Sequence, residues 1–112
     1  MIISIAKDFS TIPGARLPEE GDFSGQDFRN NVLCPALKEA ISKGEVLTVD
    51  LDGTAGLGTS FLEESFGGLI RNDKFTLAIL QQYINFISEE DPDYINEINQ
   101  YMSEADAQSP KK

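Results

Sequence analysis

Val46-Leu47-Thr48-Val49-Asp50-Leu51 is a nearly continuous apolar and β-branched run, the pattern of a central strand covered on both faces by helices. The glycine-rich stretch from Gly53 to Gly58 ends it, and Thr59-Ser60-Phe61-Leu62-Glu63-Glu64 follows. Ser60-x-x-Glu63 has the spacing of a capping box, which opens a helix near Ser60 with Leu62, Phe66, Leu69 and Ile70 along one face. Strand, glycine loop and helix in that order is an α/β unit. Gly67-Gly68 interrupts the helix. Two such glycines cost about 1 kcal/mol each relative to alanine, so they mark a backbone that a neighbouring strand or a partner approaches closely.

Upstream, Ile2, Ile3 and Ile5 read as a first strand, and Pro13-Gly14 and Pro18 punctuate a turn or short hairpin between Thr11 and Glu20. Ser24 opens a helix, with Asp27 at the third helical position and Phe23 placed to staple onto Phe28. Its apolar positions Phe28, Val32, Leu33, Leu37 and Ile41 leave Arg29, Lys38 and Glu39 mostly outside, and Gly44 is the stop. Pro35 removes an intrahelical hydrogen bond and crowds the Asn31 carbonyl, which predicts a kink or a break into two pieces. Downstream, Phe75 to Gln82 reads as a short helix and Tyr83 to Ile87 as a strand. Asp91-Pro92 opens a last helix with Ile95, Ile98 and Met102 as its buried stripe, fraying from about Ser103. The expected architecture is a small α/β sandwich, a short mixed sheet with helices packed on it. It forms one domain over residues 1–104, with a flexible polar tail at 105–112.

The 112 residues carry 9 Lys+Arg against 19 Asp+Glu, a net charge of −10. That sign disfavours nucleic acid and anionic membrane, which need cations to neutralise phosphate, and favours basic partners or none. One cysteine, Cys34, and no histidine exclude an intramolecular disulfide, a Cys-rich zinc site and a Ser-His-Asp or Cys-His engine. Cys34 reads as a small core residue, as do the aromatics Phe28, Phe61 and Phe66. Met1 to Ala6 lacks a basic leader and no stretch reaches the ~20 apolar residues of a membrane span, so a cytoplasmic protein is expected, with no metal and no cofactor.

Three chemistries compete for the loop. Asp50-Leu51-Asp52-Gly53-Thr54 has the letters of the opening motif of haloacid-dehalogenase-like phosphatases, but the 58 residues beyond Thr54 hold one expected strand, where those enzymes need further strands for a later Ser/Thr, a lysine and magnesium-binding acids. Gly53-x-x-x-x-Gly58-Thr59-Ser60 has the glycine spacing of a phosphate cradle, without its lysine. Thr59 or Ser60 at a helix start is a place where a phosphoryl group is electrostatically tolerated. Each has a plainer counterpart: Asp50 and Asp52 bonding to loop N–H groups, a glycine turn, and Ser60 as a cap.

Phe9-Ser10-x-x-Pro13-Gly14-x-Arg16, Gly21-x-Phe23-Ser24-Gly25-x-x-Phe28-Arg29, Asp50-Leu51-Asp52-Gly53 and Ser60-Phe61-Leu62-Glu63-Glu64-x-Phe66-Gly67-Gly68-Leu69 together resemble the STAS-like family of small bacterial proteins over nearly the whole chain. The resemblance implies a βα sandwich that docks onto partners, among them serine kinases with a histidine-kinase-like ATPase fold. It also implies a phosphorylated Ser or Thr at the start of the helix after a central strand, a position that falls on Ser60 with Thr59 beside it. The antagonist signature Asp-Ser-Ser-Gly is replaced here by Leu57-Gly58-Thr59-Ser60-Phe61.

The expected function is therefore a non-enzymatic regulatory module. A protein partner reads a surface made of Gly56, Gly58, Phe61, Glu63, Glu64, Gly67 and Gly68, switched at Ser60 or Thr59. Arg16 and Arg29 either pair with Asp50 or Asp52 or help bind an anionic group. The alternatives are an acidic inhibitor from a mobile element, bound to a basic protein surface through its C-terminal helix, and an Asp-nucleophile phosphatase.

Overall fold

The computed structural model describes residues 1–109. Three strands, β1 (Ile2–Ser4), β2 (Leu47–Asp50) and β3 (Ile84–Ile87), form a sheet in the order β1-β2-β3. Both pairings are parallel, with Ile3 opposite Val49 and Val49 opposite Phe86. The expected mixed sheet is thus parallel throughout, because each strand is joined to the next by a helical crossover long enough to return the chain to the same end.

That order also corrects the expectation of a strand covered on both faces. Crossovers of one hand between strands that advance in one direction deliver their helices to the same face. Leu47, Val49 and Ile84 are buried on that face, where Phe86 meets Phe66 edge-on at 5.5 Å. The other face carries Ile2, Thr48 and Asn85, and Ile2 is 68% exposed.

The described residues form five helices. α1 (Ile5–Asp8) is a single turn that was not foreseen. The Ser4 hydroxyl accepts from the Lys7 N–H at 3.1 Å and the Asp8 carboxylate from the Ser4 N–H at 2.7 Å, so the isoleucine run turns helical after only three strand residues. The segment between Thr11 and Glu20 is a loop closed by a 3₁₀ turn at Pro18–Glu20 rather than a hairpin.

α2 spans residues 25–43 as Gly25–Phe28, a π-helical turn Arg29–Leu33 and Cys34–Lys43. Its cap is Ser24, which accepts from the Asp27 N–H at 3.1 Å, and Gly44 ends it with φ 67°, the left-handed conformation glycine adopts without a Cβ penalty. Phe9 stands between Phe23 and Phe28, its ring 5.8 Å from one and 5.3 Å from the other, so the staple runs through a third ring. The chain stays helical through Pro35. The Cys34 N–H reaches back five residues to Arg29, and this wide turn just ahead of the proline takes up the strain that would otherwise break the helix.

α3 covers residues 59–71 with the same construction: Thr59–Leu62, a π-helical turn Glu63–Gly67 and Gly68–Arg71. α4 (Leu77–Tyr83) is capped by Thr76, and α5 (Asp93–Gln108) begins after Pro92. The core joins Ile5, Phe28, Leu37, Val49, Phe61, Phe66, Leu69 and Ile98, all fully buried.

α5 outruns its expected end near Ser103, because Ala105 extends the Ile98 and Met102 stripe and is only 4% exposed. The expected tail therefore begins inside a packed helix, and its last residues, 110–112, lie outside the described residues. Replacing Ala105 with Asp buries an unpaired carboxylate and is expected to lower the unfolding free energy by about 3 kcal/mol. The same change at exposed Ala107 stays within about 0.5 kcal/mol. Urea unfolding of the two variants checks the register.

Candidate functional site

At the end of β2 the carboxylates organise the backbone. Asp50 Oδ1 accepts from the Asp52 N–H at 2.9 Å, and the two oxygens of Asp52 accept from the N–H groups of Glu90 and Glu89 at 3.0 and 3.1 Å. The glycine loop is consumed in the same way: Gly53 N–H donates to Glu90 Oε1 at 2.8 Å, Ala55 N–H to the Thr11 carbonyl at 2.7 Å and Leu57 N–H to the Tyr94 hydroxyl at 3.1 Å. Protein acceptors thus hold three of the loop's N–H groups, those of Gly53, Ala55 and Leu57. Among the described residues no cluster of three or more His, Cys, Asp or Glu side chains is placed to hold a metal ion.

The helix start differs from the capping box. Gly58 is the N-cap and has no side chain to contribute, so Thr59 and Ser60 are the first two helical residues, both exposed. Neither hydroxyl caps the helix. Glu63 has better partners than the Ser60 backbone: Arg16 Nη1 donates to its Oε1 at 2.5 Å, and Arg71 grips both oxygens at 2.7 and 3.1 Å. Charge-assisted bidentate pairs of this kind outweigh a neutral cap.

Glu64 turns inward beside it. Its carboxylate pairs with Arg29, whose side chain is 4% exposed, while Arg29 Nη1 also donates to the Glu64 carbonyl at 2.6 Å. That carbonyl is free because the Gly68 N–H, its partner in a regular α-helix, goes instead to Glu63. Arg29 Nε lies 3.0 Å from Asp73 Oδ2, an ion pair without the alignment of a hydrogen bond. The three arginines of the chain therefore all converge on Glu63 and Glu64, and not on Asp50 or Asp52. Arg29, expected mostly outside, is in the core because these partners neutralise it there.

The glycines follow from this cluster. A Cβ on Gly68 would lie 2.1 Å from Arg29 Nη1, one on Gly67 2.5 Å from Glu63 Oε2, and one on Gly25 2.8 Å from the Phe61 carbonyl oxygen. What approaches the Gly67-Gly68 backbone is the cluster itself. The π-turn adds one residue to the helix, so Arg71, eight positions after Glu63, stands about two α-turns away on the same face.

Burial pushes the Glu63 carboxyl up, yet hydrogen bonds from Arg71 and Arg16 outweigh it and hold the group below its ordinary value. Burial, helped by Asp73, pushes the Cys34 thiol up, which keeps it a neutral core group. Of the residues expected to face a partner, Gly56 and Gly58 are exposed, Glu63 is half-buried, and Phe61, Glu64, Gly67 and Gly68 are buried. Sequence reasoning missed Arg71, Asp73, Glu90 and Tyr94. The scarcity of arginine beside a Glu63-Glu64 pair was the one signal that pointed toward the first of them.

A family model described as a STAS-like domain of unknown function (DUF4325) matches residues 24–94, from the α2 cap to the first turn of α5. The chain belongs to this STAS-like family. No curated protein and no solved structure matches it. The match is narrower than the whole-chain likeness seen in the sequence, and it leaves β1 and Arg16 outside while containing Arg29, Glu63, Glu64, Arg71 and Asp73. The arginine-held centre of the STAS-like domain thus lies almost entirely within the matched segment.

Removing one partner of the buried pair, as Arg29→Met or Glu64→Leu, is expected to cost about 3–5 kcal/mol, and the double variant to recover much of it. A double-mutant cycle in urea measures this coupling. Glu63, with its folded value depressed, stabilises the STAS-like domain fully above the unfolded value near 4.5 and loses that contribution as pH falls through the folded value. Glu63→Gln is expected to flatten the fall in stability between about pH 5 and pH 3, read by thermal melts across that range.

Proposed function

We propose that this STAS-like domain is a non-enzymatic regulatory module of the cytoplasm. A protein partner reads it at the 53–58 loop and the first turn of α3, and a histidine-kinase-like ATPase phosphorylates it at Ser60 or Thr59. The observation that supports this reading most is the contrast along α3: two exposed hydroxyl residues with no capping duty stand directly ahead of a segment fixed by three arginines.

Thr59 and Ser60 are four and three residues before Glu63, on its face of the helix. A phosphoryl group there carries nearly two negative charges and strong acceptor oxygens, which compete with Glu63 for Arg16. That arginine is the cluster member best placed to respond, because it holds Glu63 by one hydrogen bond where Arg71 makes two, and it ties the loop before α2 to α3. The phosphatase alternative gains no support, since Asp50 and Asp52 are engaged with backbone N–H groups.

Incubation with ATP and a lysate of the source cell, followed by intact mass and peptide mapping, is expected to give a single phosphoryl adduct at Thr59 or Ser60. It should be absent from the Thr59→Ala, Ser60→Ala pair. An unmodified protein, or an adduct that persists in the alanine pair, overturns the switch.

A further inference from the structure

β3 ends the order β1-β2-β3, so one of its edges has no strand beside it. The Leu51 N–H donates to the Ile87 carbonyl at 2.8 Å. Backbone groups point alternately to the two sides of a strand, so Asn85 and Ile87 face β2 while Ile84 and Phe86 face outward. The Ile84 N–H is taken by the Leu80 carbonyl at the end of α4, which leaves Phe86 presenting both its N–H and its carbonyl at the open edge. An open groove of about 740 Å³ lies between this strand, α4 and α5. Leu80, Ile84 and Met102 are buried in its floor, and Gln81, Asn85 and Asn99 stand exposed on its walls. A quarter of the chain is charged, yet no side chain that lines the groove is, and residues 75–88 form the longest stretch of the sequence without a charged residue.

We propose that this edge joins two copies of the chain, β3 pairing antiparallel with β3 of a second copy about a two-fold axis at Phe86. Each Phe86 N–H donates to the carbonyl of the other, the exchange made by a hydrogen-bonded antiparallel pair. The two rings then come side by side on the core face, and Asn85 comes opposite Ile87 of the second copy. An isologous contact needs a surface complementary to itself. A residue that offers one donor and one acceptor meets that need, as do side-chain amides, which donate and accept at once, and an apolar floor. The neutral lining decides among occupants. A charged segment finds no opposite charge in the groove, and two copies of net charge −10 can meet closely only where no carboxylates are brought together. A small apolar molecule would fill the floor but leave the Phe86 N–H and carbonyl without partners. The surface is separate from Thr59 and Ser60, and the joint stands whether or not those residues are a switch.

Sedimentation equilibrium of the purified chain is expected to show a dimer that tightens as salt rises, because salt screens the repulsion between two acidic copies and weakens no ion pair at the joint. Asn99→Glu, an exposed change on the α5 wall, should weaken dimerisation by about tenfold or more; if that variant melts early, Gln81→Glu on the α4 wall replaces it. Hydrogen exchange read by NMR should find the Phe86 amide protected about tenfold or more in the dimer relative to the dissociated variant. A sample mixed from labelled and unlabelled chains should give a contact between Asn85 of one copy and Ile87 of the other. The Thr59→Ala, Ser60→Ala pair should dimerise like the unaltered protein, which separates failure of this joint from failure of the switch. A chain that stays monomeric, a dimer indifferent to the wall carboxylate, or one whose Phe86 amide exchanges as fast as in the monomer each overturns the proposal.

Discussion

A guanidinium in a protein core must be fully paired or it destabilises the fold by several kcal/mol, and the positive charge of Arg29 sits at the centre of this one. The carboxylate and the backbone carbonyl of Glu64 meet its Nη1 together, and Asp73 faces its Nε. Two acceptors from one residue require that the helix release a carbonyl from its own ladder. The π-turn at Glu63–Gly67 does so. Gly68 must then lack a side chain, because a Cβ there would occupy the place of Nη1. Gly25 meets the same demand on the facing helix, where α2 crosses the Phe61 carbonyl.

The two crossover helices carry the same device for different local reasons. In α2 the π-turn precedes Pro35, which has no N–H to offer, and Asn30 and Asn31 face solvent there. In α3 it precedes the glycine pair and aligns Arg71 with Glu63. One insertion thus accommodates a proline, and the other assembles a salt-bridge cluster.

Periodicity carried most of the architecture. The β2 run, the Ser24 cap, Gly44 and the Ile98 stripe depend on neighbours close in sequence and stand where their local signals put them, while the helix expected over 75–82 runs Leu77–Tyr83 and takes Tyr83 from the strand. The misses depend on residues far apart. Arg29 was expected outside for its charge, although Leu33 and Leu37, four and eight positions on, share its face, and Glu64, 35 positions later, is what lets it sit inside. The Ser60 box failed for a related reason: its spacing was right, yet Arg16 and Arg71 hold Glu63. Family likeness identified the domain but could not say which of its residues were free to act.

The distribution of charge supplies that missing distinction. Arg29 and Glu64 are buried together, so an external anion or cation gains little access to either. Arg71 grips Glu63 with two bonds, whereas Arg16 makes one hydrogen bond to it at 2.5 Å and a second, longer one to Glu64 at 3.5 Å. A new negative charge at the front of α3 would therefore act first on Arg16, and through it on the loop that precedes α2. The core pair would keep the helix crossing fixed while that happened. On the proposed reading, the same cluster that holds the fold also confines a switch to the arm that Arg16 extends from the loop before α2.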